Sequence, residues 1–388
     1  MNALRKLSCC LIVLVAGGVS TNVSPLMAED ASDWLNAFES LDGSSNSDQQ
    51  AIKAAAKLQS LPSDQIAQVL AGFAKADQRG KNWLRSIASD VADNGAFPKD
   101  ALETFFANRE NDADARYVAF QLLTQQDAAA KERLLAFAET DPSLPVRFLK
   151  IKTLLEDASE TKSDSPEKAI ATLQQVIANG RSPSQLEKAA DMLADLGQEV
   201  DLAGELGMVR AWWLLGPFDN TESQHFDTVY LPETAYVQSG SPIVVDAAGD
   251  RETASGKNSN VIGWQRIKTD DELGMVDLNA PLSNEKDAAA YVFQTFRTIG
   301  AYSGRAQARL GCITANKVWV NGELVVSNEV YHSGSRIDQY IGDCELVDGE
   351  NSVMIKVMQN AQTQPWAQDW QFQFRLTRPD GSAIKTQP

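Results

Sequence analysis

From about Ser32 to Gly207 apolar residues return every three or four positions, the spacing that gathers them on one face of a helix. The stretches 51–58, 66–73, 83–91, 102–106, 117–123 and 134–137 predict successive short helices, with Pro, Gly, Asn and Asp breaking the pattern between them. Two further stretches, 169–177 and 186–196, close the series. Some starts are signed. Ser182-Pro183-Ser184-Gln185 offers a hydroxyl cap, a proline at the first helical position and a glutamine three residues on, and Ser165-Pro166 opens its helix in a similar way. Near Gly207 the period changes from about 3.6 to two. The stretches 211–215, 261–267, 291–299, 306–313, 317–320, 324–326, 351–358 and 370–376 predict strands. In the last, Trp370, Phe372, Phe374 and Leu376 share one face, and Gln371, Gln373 and Arg375 share the other, which predicts a packed side and a wet side. Asn321-Gly322, between Val318-Trp319-Val320 and Leu324-Val325, predicts a type I′ hairpin. Many short strands without helical crossovers predict an antiparallel β-sandwich or jelly roll.

Arg85, Arg116 and Arg147 lie 31 residues apart in comparable settings, Trp83-Leu84-Arg85-Ser86-Ile87, Asp114-Ala115-Arg116-Tyr117-Val118 and Pro145-Val146-Arg147-Phe148-Leu149. Two short helices per unit, each pair completing its core on the next, predict an α-solenoid, with a non-repeating helical array as the alternative. With Asp141-Pro142 leading in, the unit resembles degenerate HEAT repeats. The expected class is therefore α plus β and multidomain: a signal peptide at 1–28, a helical repeat domain at 29–207 and a β-sandwich at 208–388.

The segment Trp212-Trp213-Leu214-Leu215-Gly216-Pro217-Phe218-Asp219-Asn220, followed by Phe226-Asp227-Thr228-Val229-Tyr230-Leu231-Pro232-Glu233, carries a resemblance. So do Gly274-Met275-Val276-Asp277-Leu278, 331–340 and 364–372. Together they resemble a β-sandwich domain of secreted planctomycete-type proteins, often preceded by HEAT-like helices. The hairpin with 346–357 is similar, more loosely, to the galactose-binding-like jelly rolls appended to many glycoside hydrolases. What the resemblance implies is architecture, and carbohydrate binding as an expectation.

Arg5 and Lys6, then an apolar run at 7–19, then Leu26-Met27-Ala28 before Glu29-Asp30, read as a cleaved secretory signal, which predicts a periplasmic or extracellular protein. The run is short for a bilayer span, and no later run is long enough. The formal charge is −17, and loss of Arg5 and Lys6 takes it to −19. Such a chain lacks the basic surface that nucleic acid or an anionic membrane requires. Cys312 and Cys344, 32 positions apart, remain after the signal, and in an oxidising compartment they predict one disulfide, with two buried thiols as the alternative.

No Gly-x-Ser-x-Gly, Walker loop, Gly-x-Gly-x-x-Gly or His-Glu-x-x-His occurs, which points away from an enzyme. Two carboxylates brought together by folding would leave no such motif, so a polysaccharide-acting hydrolase, or a subunit of one, stays open on Asp219, Asp227, Glu233, Asp338 and Asp369. Asn111-Asp112-Ala113-Asp114 lacks the glycine and glutamate of a calcium loop and predicts a helix cap; Asp270-Asp271-Glu272 predicts a solvated turn. No cofactor is implied, although jelly rolls of this resemblance sometimes hold a structural calcium. The favoured candidate is a recognition patch of Tyr331, His332, Arg336, Asp338, Tyr340, Trp366 and Trp370. Flat rings and fixed polar groups are what a sugar needs, whereas core packing of the tryptophans and an Arg336–Asp338 pair are the structural alternative. The expected function is a non-enzymatic binding protein whose partner is a glycan or a cell-envelope protein.

Overall fold

The helical period becomes eleven α-helices before Gly207 in the computed structural model, which describes residues 31–243 and 250–387, with Trp366 described in its backbone only. The predicted signal segment lies outside the described residues. The helices are α1 Ala31–Leu35, α2 Ser45–Gln59, α3 Ile66–Ala71, α4 Gln78–Ala92, α5 Lys99–Ala107 and α6 Ala113–Gln126. Then come α7 Ala130–Leu135, α8 Leu144–Thr161, α9 Pro166–Asn179, α10 Pro183–Asp195 and α11 Leu202–Leu206. A twelfth, α12 Leu231–Ser239, lies among the strands.

The chain divides into two compact units, one up to Ala101 and one from Leu102 to Pro388. In the first, Phe38, Leu58, Ile66, Phe73 and Leu84 are fully buried. Asp77 caps α4 by accepting from the Gly80 N–H at 2.7 Å and also accepts from the Leu41 N–H at 2.7 Å. Gly80 is required by close approach, because a Cβ there would stand 2.0 Å from the Phe38 carbonyl oxygen.

In the second unit, α8, α9 and α10 share a core of Ile151, Leu155, Leu173, Val176, Ala189 and Leu193. Asp112 caps α6 as expected, accepting from the N–H groups of Asp114 and Ala115. At the start of α10 the expected capping box does not form. Ser182 makes no side-chain cap bond, and Gln185 is buried instead, donating to the Phe148 carbonyl at 2.9 Å. Arg116 and Arg147 both converge on Asp141, the first by an ion pair and the second by Nε to the Asp141 carbonyl at 2.8 Å. Arg85, the first of the three arginines spaced 31 residues apart, is exposed.

All strand pairings are antiparallel. The strands are β1 Ala211–Asp219, β2 Ala254–Ser255, β3 Val261–Ile262, β4 Gln265–Lys268, β5 Val276–Asp277, β6 Ala288–Thr298 and β7 Gly304–Cys312. They continue as β8 Asn316–Val320, β9 Glu323–Asn328, β10 Tyr340–Leu346, β11 Glu350–Gln359, β12 Gln371–Thr377, β13 Ala383–Ile384 and β14 Thr386–Gln387. One sheet runs β4-β1-β6-β11-β8-β9, with β14 on β6; the other runs β10-β7-β12-β13, with β5 on β12. β2 and β3 form a separate pair. The predicted hairpin is present: Asn321 and Gly322 have φ of 49° and 85° between β8 and β9.

Both sheets contribute to one core, in which Trp212, Val292, Val318 and Ile355 meet Leu310, Phe372, Phe374 and Leu376. The outer face of the larger sheet is covered too, with Tyr236 of α12 packed on Tyr291, Phe293 and Trp319. The expected wet face of β12 is a correction. Gln373, Arg375 and Thr377 are buried, since Arg375 Nη1 donates to the Leu206 carbonyl of α11 at 3.3 Å and Met208 bridges to Arg375. The helices sit on the polar side of that sheet, so its alternation marks two different buried environments.

The expected Cys312–Cys344 disulfide is also corrected: both thiols are free. The antiparallel register of β10 on β7 sets Cys344 opposite Ala306, six residues from Cys312. At about 3.4 Å per residue the two are about 20 Å apart along the sheet, far beyond the ~7 Å a disulfide can bridge. Burial pushes both thiols up to about 12. Among the described residues no helix is long and apolar enough to cross a membrane.

Candidate functional site

The segment after β9 and the segment after β11 carry the sequence candidates, and three ties fix where they stand. Asn220, at the end of β1, donates to the Tyr331 hydroxyl at 3.0 Å and to the Gln359 carbonyl at 3.1 Å. His332 Nε2 lies 2.7 Å from Asn360 Oδ1. The third tie is Asp338, which accepts from Arg309 Nη1 at 2.8 Å on β7 and from Arg375 Nε and Nη2 at 2.8 and 2.6 Å on β12. Burial alone would raise its pKa, yet the two arginines outweigh that and hold the carboxyl below its usual range.

His332, Gly334 and Asp338 all take left-handed φ, at 58°, 77° and 60°. A non-glycine residue there costs of order 1–3 kcal/mol and persists only where its surroundings dictate it, which the Asn360 and arginine bonds do. Gly311 supplies the floor. A Cβ on it would lie 2.6 Å from the Arg336 carbonyl oxygen, so the loop can press against β7 only because that residue is glycine.

The seven sequence candidates therefore separate. Tyr331 and His332 are part-exposed on one loop, Tyr340 is part-exposed where that loop enters β10, and Arg336 is exposed on the loop with no ion pair among the described residues. The Tyr340 hydroxyl and the Gln339 amide both meet Ser333 Oγ, at 3.1 and 2.9 Å. Asp338 is corrected from a ligand-facing group to a buried anchor; its partners are Arg309 and Arg375, not the expected Arg336. Trp370 is corrected as well, since it is fully buried in the core between the sheets and presents no ring to a ligand. The side chain of Trp366 lies outside the described residues.

Of the other acids named from sequence, Asp369 is exposed, and Asp219, Asp227 and Glu233 are engaged elsewhere. On the outer face of the larger sheet, Lys317 of β8 and Lys356 of β11 stand directly opposite each other. Like charges so placed repel, and the segment 226–233 relieves this: Asp227 lies 2.7 Å from Lys317 and Glu233 lies 3.2 Å from Lys356. Lys356 Nζ also donates to the carbonyls of Phe226 and Thr228 at 2.9 and 2.8 Å, and Tyr291 donates to Glu233. Burial, opposed by Glu233, pulls Lys356 below the usual lysine value, and burial pushes Tyr230 up to about 12. Asp219 accepts from the Thr221 hydroxyl at 2.7 Å and sits 3.2 Å from His225 Nε2, whose Nδ1 lies 3.2 Å from Thr228 Oγ1. Both nitrogens of this imidazole are thereby engaged in closing the turn. Among the described residues no group of three or more His, Cys, Asp or Glu could hold a metal ion. Sequence reasoning missed Lys317, Lys356, Arg309 and Arg375, although isolated charges in the buried runs 316–320 and 371–377 were a visible signal.

No family described by a sequence profile matches the chain, and neither does any curated protein. Among solved structures it is similar to a β-glucosidase from Kluyveromyces marxianus in complex with glucose, at 14% identity over 35% of this chain and 18% of that one, with a TM-score of 0.22. It is also similar to a β-glycosidase from Bacteroides vulgatus, at 15% identity over 44% and 20% of the two chains and a TM-score of 0.23. A GH31 α-xylosidase from Xanthomonas citri gives 15% identity, 37% and 17% coverage and a TM-score of 0.20. The chain spans about a fifth of the length of each. Likenesses this slight and partial carry no weight for function.

Proposed function

We propose that this is an exported, non-enzymatic binding protein, in which a HEAT-like helical solenoid is the scaffold and a jelly-roll sandwich recognises a glycan through the loop of Tyr331, His332, Arg336 and Tyr340. The observation that carries this reading is the contrast within the loop: Asp338 and His332 are locked from beneath while Arg336 stays exposed and free of ion pairs among the described residues. A preorganised loop that carries an exposed planar cation and two part-exposed phenols suits a polyhydroxylated ring, whose apolar side needs a flat face and whose hydroxyls need fixed donors. The resemblance to galactose-binding-like and planctomycete-type secreted domains supports the same reading. Catalysis is the weaker reading because Asp227, Glu233 and Asp338 each neutralise a lysine or arginine instead of standing as a free pair.

The test is a glycan array probed with the full chain, in calcium and in chelator, against Arg336→Ala and Tyr340→Ala variants of unchanged melting temperature. Saturable binding that falls about tenfold or more in either variant is expected. Binding unchanged in both would overturn the assignment of the loop. A blank on folded protein would move the reading to recognition of a protein surface in the cell envelope.

A further inference from the structure

A second site lies where the helices meet the polar side of the smaller sheet; Arg309, which also holds Asp338 of the loop, lines it, but none of the exposed residues of the reading above does. A cavity of about 200 Å³ there is lined by Leu144, Arg147 and Phe148 of α8, by Arg181 and Gln185 at the start of α10, and by Arg309 of β7. Three arginines facing one cavity is unusual in a chain of net charge −17. Each also keeps a buried nitrogen with no hydrogen-bond partner among the described residues: Arg147 Nη1, Arg181 Nε and Arg309 Nε. Arg147 is only 6% exposed. Leaving such a donor unsatisfied costs about 1–3 kcal/mol, more when it is charged, so each favours an acceptor.

The acids nearby make no hydrogen bond to these nitrogens. Asp141 is paired with Arg116, Asp338 is shared between Arg309 and Arg375, and Asp380 accepts from Ser382 N–H and Oγ on Oδ1 at 3.0 and 2.6 Å while its charge partly offsets Arg147 and Arg181. Five arginines share three aspartates, which leaves a local excess of two positive charges. Burial, with a smaller contribution from the neighbouring Arg181, lowers the proton affinity of Arg147, and Asp380 and Asp141 only partly oppose it. Arg181, Ser182 and Pro183 are part-exposed, so solvent reaches the rim.

We propose that this cavity binds a tetrahedral oxyanion, a phosphate or sulfate, on Arg147, Arg181 and Arg309. Donors brought from three separate elements suit the three or four oxygens of such an ion better than the two of a carboxylate, and guanidinium is the side chain best matched to it. The volume lies below the ~300–1,000 Å³ of sites for drug-sized ligands, which selects the ion itself or one ester group with its sugar outside. The occupant also ties α8 and α10 to β7.

Melting and calorimetric titration of the full chain with sodium sulfate and inorganic phosphate, against sodium chloride of equal ionic strength, test the site. Galactose 6-sulfate and glucose 6-phosphate form the second arm. Saturable stabilisation by the divalent oxyanions beyond the chloride control is expected, weakened at least about tenfold in Arg181→Gln and Arg147→Gln and unchanged in Arg133→Gln, which lies outside the cavity. Arg181→Gln keeps the test decisive should the more buried Arg147→Gln fail to fold. Tighter binding of the sugar esters than of the free ions would make an ester the source; the reverse would make it the free ion. Flat titrations on folded wild-type protein, or equal binding by wild type and Arg181→Gln, would overturn the proposal.

Discussion

Asp338 illustrates how one residue's chemistry reverses when its partners are known. A part-buried carboxylate between two aromatic residues of a loop reads as a ligand contact, whereas two guanidiniums beneath it make it the peg on which the loop hangs. Removing one member of a buried ion pair costs about 3–5 kcal/mol, because the other charge is left uncompensated. Asp338→Asn, which keeps the shape and one acceptor, is expected near the lower end of that range in urea unfolding at neutral pH. The pH dependence has a definite sign. The folded-state pKa lies below the unfolded value of about 3.9, so between the two the unfolded chain binds a proton that the folded chain does not. This contribution to stability is complete above about pH 5 and is lost as pH falls through the unfolded and then the lower folded value. The wild type should therefore lose its margin over Asp338→Asn in acid unfolding curves at pH 2–4, and parallel curves would show that Asp338 is not held by the arginines.

Elements show where the chain could be read and where it could not. The 3.6 and 2.0 periods marked the helices and strands because each is a local consequence of burying one face, and Asn321-Gly322 marked its hairpin because only residues that accept positive φ fit the turn. What stayed hidden were pairings across long stretches of chain: Asp338 with Arg375, Lys356 with Glu233, and the β10 register that separates Cys312 from Cys344. Nothing local distinguishes a strand face turned to water from one turned to a helix, so Gln373 and Arg375 looked wet. The segment 226–239 owes its place to such a distant tie. Lys356 holds two of its carbonyls, that of the adjoining His225 and the Glu233 carboxylate, and Tyr236 shares a hydrogen bond with the Ser352 hydroxyl at 2.6 Å. Lys356→Met removes the cation and leaves Glu233 buried beside Tyr291, at a cost of about 3 kcal/mol or more. Hydrogen exchange should show 226–239 losing protection well before β6 and β11; uniform loss over the sheet would mean that Lys356 supports the core and not this segment.

At the scale of the whole molecule, the change from helix to strand near Gly207 and the division into compact units fall at different places. The compact unit begins at Leu102, so helices α6–α11 belong with the sheets. The reason lies at the polar face of β12, where Arg375 reaches the Leu206 carbonyl and Met208 joins Leu186, Leu202 and Leu206 in one apolar cluster with Ile337 beside it. Cutting the chain at 207 would strip the Leu206 carbonyl from Arg375, which is now 2% exposed. It would also take away Leu186, Leu202 and Leu206, each worth roughly 1.5–3 kcal/mol of burial. A fragment from Lys99 to Pro388 keeps α5 whole and retains this interface, whereas one from Met208 to Pro388 loses it. The longer fragment is expected to unfold in one cooperative urea transition with coincident far-UV and tryptophan signals. The shorter should be several kcal/mol less stable and prone to association through its uncovered sheet. Equal stability of the two would mean that the helices merely rest on the β-sheets, and would remove the structural basis for placing an oxyanion between them.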